Sequence, residues 1–419
     1  MLDVVALGLN GVIGTGIFFL PGKVAAALGP AAVITFLISA LLCTLLVLCF
    51  AEVGSRFRGT GGPMLYSQAA FGPLVGFVVG WLTWVIRVTS WGALANALVS
   101  AAASLVPAAA GHSFLIITVL IAGLAAINVL GVSMGARVTN FFTAAKLIPI
   151  VVFLAVGVFH LRADLFTPFA PHGLSAVAPS TLVILYAFVG FEVLTVPAGE
   201  MRDPQRSVPR ALILVMAIVT GVYLLLWAVC AGTLPTLAGS ENPVAEAATL
   251  FLGPAGGRLV ALGILVSVLG INAGSALVAP RCLFALADQG YLPRSLARLH
   301  PTRHTPVVAI VLSAVLAWGL AVTGSFVELA VISVVARFAQ YIPTCLAVLR
   351  LRSRPDVEAA GFRIAGGAVV PWLAILLCVA LLAQSEARHL IGGAVGILSG
   401  VLLYLARKRA NSDDRPSNA

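Results

Sequence analysis

The stretch Val12-Ile13-Gly14-Thr15-Gly16-Ile17 interrupts an apolar segment long enough to cross a membrane, and Tyr186-Ala187-Phe188-Val189-Gly190-Phe191 interrupts a second such segment. A break in a spanning helix is costly, because the freed N–H and C=O groups find no water in lipid. It is tolerated where the bare backbone faces protein or a wet cavity. Two breaks in matching places of two halves indicate the binding site of a transporter. The alternative is that these glycines only allow close helix packing.

The composition indicates a membrane protein with many helical crossings. Of the 419 residues, 60% are hydrophobic and only 10% are charged, whereas soluble domains carry about 25% charged residues. The apolar runs are continuous and about 20 residues long, which favours helices over the alternating strands of a membrane barrel. We predict an all-α polytopic membrane protein with twelve spans, near 3–28, 31–54, 72–105, 114–132, 138–160, 180–200, 208–234, 255–285, 305–322, 325–349, 368–385 and 388–406.

The basic residues predict the orientation. Most of the 25 Lys and Arg residues fall in loops on the side of the N-terminus. The opposite side holds Lys23, Arg162, Arg258 and Arg388. Cytoplasmic loops are enriched in Lys and Arg, so we expect a multi-pass protein of the cell membrane with both termini in the cytoplasm. The net charge of +10 therefore reflects topology and not a nucleic-acid surface.

The two breaks divide the chain into related halves. Each half contains five spans, and because five is odd the second half must be inverted relative to the first. We predict a ten-helix transport core over 1–350, with helices 1–5 over about 3–160 and helices 6–10 over about 180–349. Two additional transmembrane helices and a cytoplasmic tail follow over 351–419. A short outer helix is expected over 244–252, with Asn242 as its cap.

The termini that a broken helix exposes suit a free amino acid. N–H groups at the start of the second half-helix carry partial positive charge and favour a carboxylate, while freed carbonyls favour an ammonium group. The predicted substrate-binding residues are Ile13, Gly14, Thr15, Gly16, Ala187, Phe188, Val189 and Gly190. Among them, Phe188 is either an aromatic that closes over the substrate or a core residue.

Three blocks of sequence resemble the amino acid–polyamine–organocation (APC) transporters. The first, Gly11 to Gly22, is similar to the first-helix signature of that superfamily, and Phe188 to Ala211 is similar to its sixth helix and following loop. The third, Arg281 to Pro306, is similar to the loop after its eighth helix. The resemblance covers roughly residues 4 to 406. It implies an amino acid permease or exchanger with the leucine-transporter-like fold, a five-plus-five inverted repeat with two extra helices.

The resemblance also implies coupling roles for two residues. In many APC members a lysine at the position of Lys146 stands where sodium-coupled relatives hold a sodium ion, and exchangers carry a tyrosine at the position of Tyr223. An ammonium group can supply the charge of a metal ion and can also lose its proton. Alternatively, Lys146 snorkels towards the end of its helix, and Tyr223 is an ordinary amphipathic aromatic residue.

Three charged residues fall near the middle of the membrane, and two of them, Arg87 and Arg337, do not follow the family pattern. Arg87 and Arg337 lie within the third and tenth spans, and Glu192 follows the second break. Charges at this depth are expensive unless they face the protein interior or water. Either Glu192 pairs with an arginine and controls a gate, or an arginine recognises an acidic substrate. The remaining alternative is that a span boundary is misplaced and these residues lie nearer the membrane surface. Farther along, Glu200, Arg202, Asp203 and Arg206 form inner-gate ion pairs or are solvated loop charges.

The favoured function is secondary active transport of small or medium neutral L-amino acids by alternating access, without sodium and with either proton coupling or exchange. Cationic or acidic amino acids or polyamines are the alternative substrates. A channel or a non-transporting amino acid sensor is the alternative of another class. The chain contains no metalloprotease, nucleophile-elbow or P-loop motif, so we expect no enzyme activity. We also expect no metal and no cofactor, and the six cysteines are expected to be packing residues.

Overall fold

A computed structural model describes residues 2–59, 61–196, 198, 201, 203–324, 326–354 and 357–413. Glu200, Arg202 and the last six residues of the tail therefore lie outside the described residues. Within them, the α-helices are α1 (Leu2–Val12), α2 (Thr15–Leu28), α3 (Val33–Gly54), α4 (Pro63–Phe71), α5 (Pro73–Leu105), α6 (Ser113–Leu130), α7 (Val132–Gly157), α8 (Val177–Phe188), α9 (Pro204–Thr233), α10 (Pro243–Asp288), α11 (Val307–Thr323), α12 (Phe326–Arg352), α13 (Val369–Ala383) and α14 (Ala387–Asp413).

The chain is an all-α polytopic membrane protein, as predicted. In the described part of the chain, nine helical stretches are long and apolar enough to cross a membrane, and two shorter apolar helices are α11 and α13. The first stretch, Val4–Gly54, contains α1 and α2 as well as α3. Counting α3 as a separate crossing therefore accounts for the twelve predicted spans. The division into a core and two added helices, and the inverted repeat, stay predictions.

Both predicted breaks are present. In the first, α1 ends at Val12 and α2 begins at Thr15, with Gly14 in extended conformation between them. In the second, α8 ends at Phe188, and Gly190 adopts φ +117°, a conformation that favours glycine. The chain continues from Phe191 to Thr195 as a 3₁₀ helix.

The two breaks pack closely against each other. A methyl group built on Gly16 would lie 2.9 Å from the Cα atom of Ala187. One built on Gly190 would overlap the carbonyl oxygen of Gly11. Glycine at 16 and 190 therefore allows backbone-to-backbone approach, which brings the helix ends of both halves to one place.

One local feature differs from the sequence prediction, and another agrees with it. Helix α4 (Pro63–Phe71) was not expected; Gly72, at φ +93°, separates it from α5, and Pro73 begins α5. The expected outer helix is present as the first part of α10, which bends at Gly253 where φ is +72°.

Asp203 and Arg206 form an exposed pair with 3.9 Å between Oδ2 and Nε. Such an exposed pair contributes little to stability.

Candidate functional site

A cavity lies between the two breaks. It comprises about 420 Å³ of space between atoms, including its open mouth. Its lining residues are Gly11, Val12, Gly14, Thr15, Gly16, Arg87, Ser90, Leu94, Tyr186, Ala187, Val189, Gly190, Ile271, Ser275 and Arg337. A second cavity shares Gly11, Arg87, Ile271 and Ser275 with it and extends to Asn10. The space between the helix ends is therefore bordered by bare backbone and by two arginines.

Most of the predicted binding residues border this cavity. Gly14, Thr15 and Gly16 line it from the first break, and Ala187, Val189 and Gly190 line it from the second. The other two predicted residues, Ile13 and Phe188, are fully buried and lie outside the lining described for it.

Phe188 packs edge-on against Tyr223, with 4.9 Å between ring centroids. Tyr186, two residues earlier on α8, contributes to the cavity lining instead. The structure therefore places Phe188 in the packing behind the second break, and its role as a lid stays a prediction.

Lys146 connects α7 to the first break. Its Nζ atom donates hydrogen bonds to Oδ1 and the carbonyl oxygen of Asn10, at 2.7 and 3.1 Å, and to the carbonyl oxygen of Ile13 at 2.7 Å. The residue is fully buried, so it does not snorkel out of the protein. Its ammonium group is surrounded by three oxygen atoms at the point where α1 unwinds. Oxygen atoms of this kind also bind small metal cations. Asn10 was missed, although an Asn one turn before a helix break is a readable signal.

Tyr223 joins the two breaks. Its hydroxyl lies 3.0 Å from the carbonyl oxygen of Val12 and 3.0 Å from that of Ala187. A hydroxyl has one proton to donate, so it satisfies one of these carbonyls at a time. The fully buried Tyr223 side chain on α9 can therefore hydrogen-bond to either unwound segment.

Glu192 lies between the two mid-membrane arginines. Its Oε1 atom accepts from Nη2 of Arg87 at 2.9 Å and from Nη1 of Arg337. Its Oε2 atom accepts from the Gly190 N–H and from the Tyr341 hydroxyl, both at 3.1 Å. One carboxylate therefore ties α5 and α12 to the second break, and all its partners are donors.

The residues that complete this cluster were missed from the sequence, although their spacing carries a signal. Ser333 and Tyr341 lie one helical turn on either side of Arg337 in α12, and Ser90 lies three residues after Arg87 in α5. Ser90 Oγ lies 3.1 Å from Arg337 Nη2 and 2.6 Å from Ser333 Oγ. Polar residues at these intervals in apolar spans predict a polar face that points inwards.

A separate ion pair holds the far ends of α3 and α12. Arg352 donates to both carboxylate oxygens of Glu52, each at 2.7 Å, and the Ile364 N–H donates to Oε2 at 2.9 Å. Glu52 is fully buried. Nearby, a hydrogen bond to Gln205 and the charge of Arg58 lower the pKa of the exposed Glu358 carboxyl. These contacts fix the segment after α12 to the core.

The described residues contain no group of three or more His, Cys, Asp or Glu side chains that could hold a metal ion. All six cysteines are free and buried. Among the described residues, the buried charged side chains lie around the two breaks and in the Glu52 pair.

Comparison with known proteins agrees with this architecture. The amino acid permease family model matches residues 1–387. A serine/threonine exchanger of Bacillus subtilis is 30% identical over 98% of this chain and 97% of its own length. A branched-chain amino acid permease and a methylthioribose transporter of the same organism are each 28% identical over 98% of this chain, covering 92% and 93% of their lengths. Because these relatives carry different substrates by name, they indicate transport without fixing the substrate. The chain therefore belongs to the amino acid permease family, and it is a transporter and not an enzyme.

Proposed function

We propose that this protein is a sodium-independent secondary active transporter of free amino acids that works by alternating access. The observation that carries the proposal is the cavity bordered by both unwound segments, with Lys146 and Tyr223 bonded to the backbone of those segments. Unwound backbone at such a cavity offers free N–H and C=O groups to a ligand. Because these groups face the cavity and not lipid, they are not left unsatisfied in the hydrocarbon layer. The cell membrane, with both termini in the cytoplasm, is the proposed location.

The α-carboxylate of the substrate is held by the first break. The N–H groups at the start of α2, around Thr15 and Gly16, have no partner within the helix, and the helix dipole favours an anion there. The adjacent glycine at 14 lets the carboxylate approach the backbone closely.

The α-amino group is held mainly by the second break. The carbonyls of Asn10 and Ile13 already accept from Lys146. Tyr223 donates to Val12 or to Ala187 but not to both, so one of these two carbonyls is open to an ammonium group at any moment. If the Tyr223 hydroxyl turns its proton from one of these carbonyls to the other, binding of the amino group is linked to the relative position of the two breaks.

Sodium independence follows from Lys146. Its ammonium group occupies the three-oxygen nest beside the first break. A second cation placed there would repel the first one strongly, because the surroundings have a low dielectric constant. Deprotonation of Lys146 when the site closes would serve proton coupling, and a permanently charged Lys146 would serve exchange.

The cavity that would receive the substrate side chain is lined by charged residues and not only by small or apolar ones. Small or medium neutral amino acids were favoured because the pocket residues named from the sequence were small or apolar. Arg87 and Arg337 also line the cavity. This favours the acidic alternative and disfavours cationic amino acids and polyamines, which the arginines would repel.

Counterflow in proteoliposomes tests the proposed function. Vesicles with the purified protein are loaded with a mixture of the twenty amino acids, and a labelled amino acid is added outside at low concentration. A carrier accumulates label transiently above equilibrium, whereas a channel only equilibrates it and a sensor binds without uptake. Uptake driven by a pH gradient into empty vesicles indicates proton coupling, and a requirement for internal amino acid indicates exchange. Failure of every labelled amino acid to show an overshoot would overturn the proposal.

A further inference from the structure

The charges beside the cavity do not balance. Arg87 and Arg337 both contact Glu192, and within the described chain no other carboxylate is in ion-pair contact with either arginine. Their side chains are 7% and 4% exposed, and that of Glu192 is 1% exposed. Glu192 otherwise accepts only from neutral donors. The cluster therefore carries one positive charge in excess, inside a protein that spans a membrane, where an unpaired charge is costly.

The excess charge is most accessible at Arg87. Arg337 is held twice, by Glu192 and by Ser90 at 3.1 Å. Arg87 is held by Glu192 through Nη2 alone. The Nε atoms of both arginines are buried without a hydrogen-bond partner, so Arg87 differs from Arg337 in lacking the Ser90 contact. Arg87 is also one of the residues that line both cavities. A buried, incompletely satisfied guanidinium beside a cavity is a site for an anion.

We infer that the transported amino acid carries an acidic side chain, and that Arg87 binds its second carboxylate. The inference rests on the proposed function, because it concerns the substrate of the same site. A zwitterionic amino acid brings no net charge and leaves the positive excess in place. An acidic amino acid brings one negative charge and balances the cluster, while its α-carboxylate and α-amino group remain with the breaks. A cationic amino acid would increase the imbalance.

Acid and amide pairs test this inference, because the two members differ in charge but hardly in shape. Counterflow is measured with L-aspartate against L-asparagine and with L-glutamate against L-glutamine. Asparagine and glutamine can accept a hydrogen bond from Arg87, but only the acid can also form an ion pair with it. We therefore expect kcat/KM to be higher for the acid by about 10- to 100-fold in at least one pair. An amide transported as well as or better than its acid in both pairs would overturn the inference. The proposed function would then still stand, because transport of the amide supports it.

Two variants locate the carboxylate. Arg87→Gln is expected to reduce the acid-to-amide ratio about tenfold or more, chiefly by raising KM for the acid. Arg87→Lys keeps the charge and is expected to retain part of the preference. Arg258→Gln, at an exposed arginine on α10, is the control and should leave the ratio unchanged. An acid preference that Arg87→Gln leaves intact would overturn the role of Arg87. If Arg87→Gln does not fold, a reduced acid-to-amide ratio in Arg87→Lys at unchanged amide transport supports the role, and an unchanged ratio there contradicts it.

A free anion is the other possible source of negative charge. The measurements are therefore repeated with gluconate in place of chloride. Acid transport that persists without chloride supports the inference. Amide transport that depends on chloride, without an acid preference, would assign the anion to the solution and overturn it. Absence of exchange for all twenty amino acids would instead refute the proposed function, and the inference with it.

Discussion

Replacement of Gly190 by alanine perturbs the place where the two breaks meet. The added methyl group would overlap the carbonyl oxygen of Gly11 and lie 3.0 Å from its carbonyl carbon. Gly11 belongs to α1, so its carbonyl group cannot move away without displacing that helix. Gly190 also has φ +117°, which a residue with a Cβ atom adopts only under strain.

Two costs add at this position. A non-glycine residue in such a conformation costs about 1–3 kcal/mol, and overpacking of a closely fitted interior costs typically about 1–3 kcal/mol more. We therefore expect Gly190→Ala to lower the free energy of unfolding by about 2–6 kcal/mol. Because the breaks are pushed apart, amino acid transport should be lost even where the variant can be purified.

The matched control is Gly72→Ala. Gly72 has φ +93°, but a methyl group built there meets nothing within 4 Å, so this variant carries only the backbone strain. Chemical denaturation in detergent micelles and counterflow are measured for both variants. We expect Gly190→Ala to be less stable than Gly72→Ala by about 1–3 kcal/mol and Gly72→Ala to transport. Equal stability together with normal transport in Gly190→Ala would refute the close approach of the breaks.

Three further substitutions test the side chains around the breaks. Lys146→Met keeps most of the side-chain volume but removes the donor to three oxygen atoms. Because each acceptor left unpaired costs about 1–3 kcal/mol, denaturation should show a clear loss of stability, and counterflow should cease. Tyr223→Phe leaves two carbonyls without this donor and should cost about 1–3 kcal/mol while lowering the initial rate; an unchanged rate contradicts the bridging role. Glu192→Gln leaves two buried guanidiniums without their carboxylate and should cost about 3–5 kcal/mol in the same denaturation assay; wild-type stability would show that the pairs do not form.

The elements of the fold that depend on local sequence were predictable. Apolar runs predicted the spans, and Gly14, Gly16 and Gly190 predicted both breaks. The pairing of α4 with α5 was not predicted, because α4 is only nine residues long and amphipathic patterns say little about so short a helix. The bend at Gly253 agrees with the sequence prediction, which placed a separate outer helix over 244–252 and began the next span near 255.

The site was partly predictable for a related reason. Arg87, Glu192 and Arg337 attract attention individually, because charges are rare at mid-membrane. That one carboxylate serves both arginines depends on how α5 and α12 approach the second break, which is a property of tertiary packing. Sequence spacing alone could not separate a gate pair from a substrate contact. It also left open whether Phe188 closes over the substrate or packs in the core, because it could not show which way that ring turns.

The measurement that tests the central claim most directly is the initial rate of amino acid uptake into proteoliposomes when sodium is replaced by choline. Lys146 already provides a cation at the first break, so we predict the same rate in both media for the wild-type protein. The matched Lys146→Ala variant should gain thermal stability on addition of sodium, because three oxygen atoms are freed for the ion. A wild-type rate that falls to background without sodium would contradict the account.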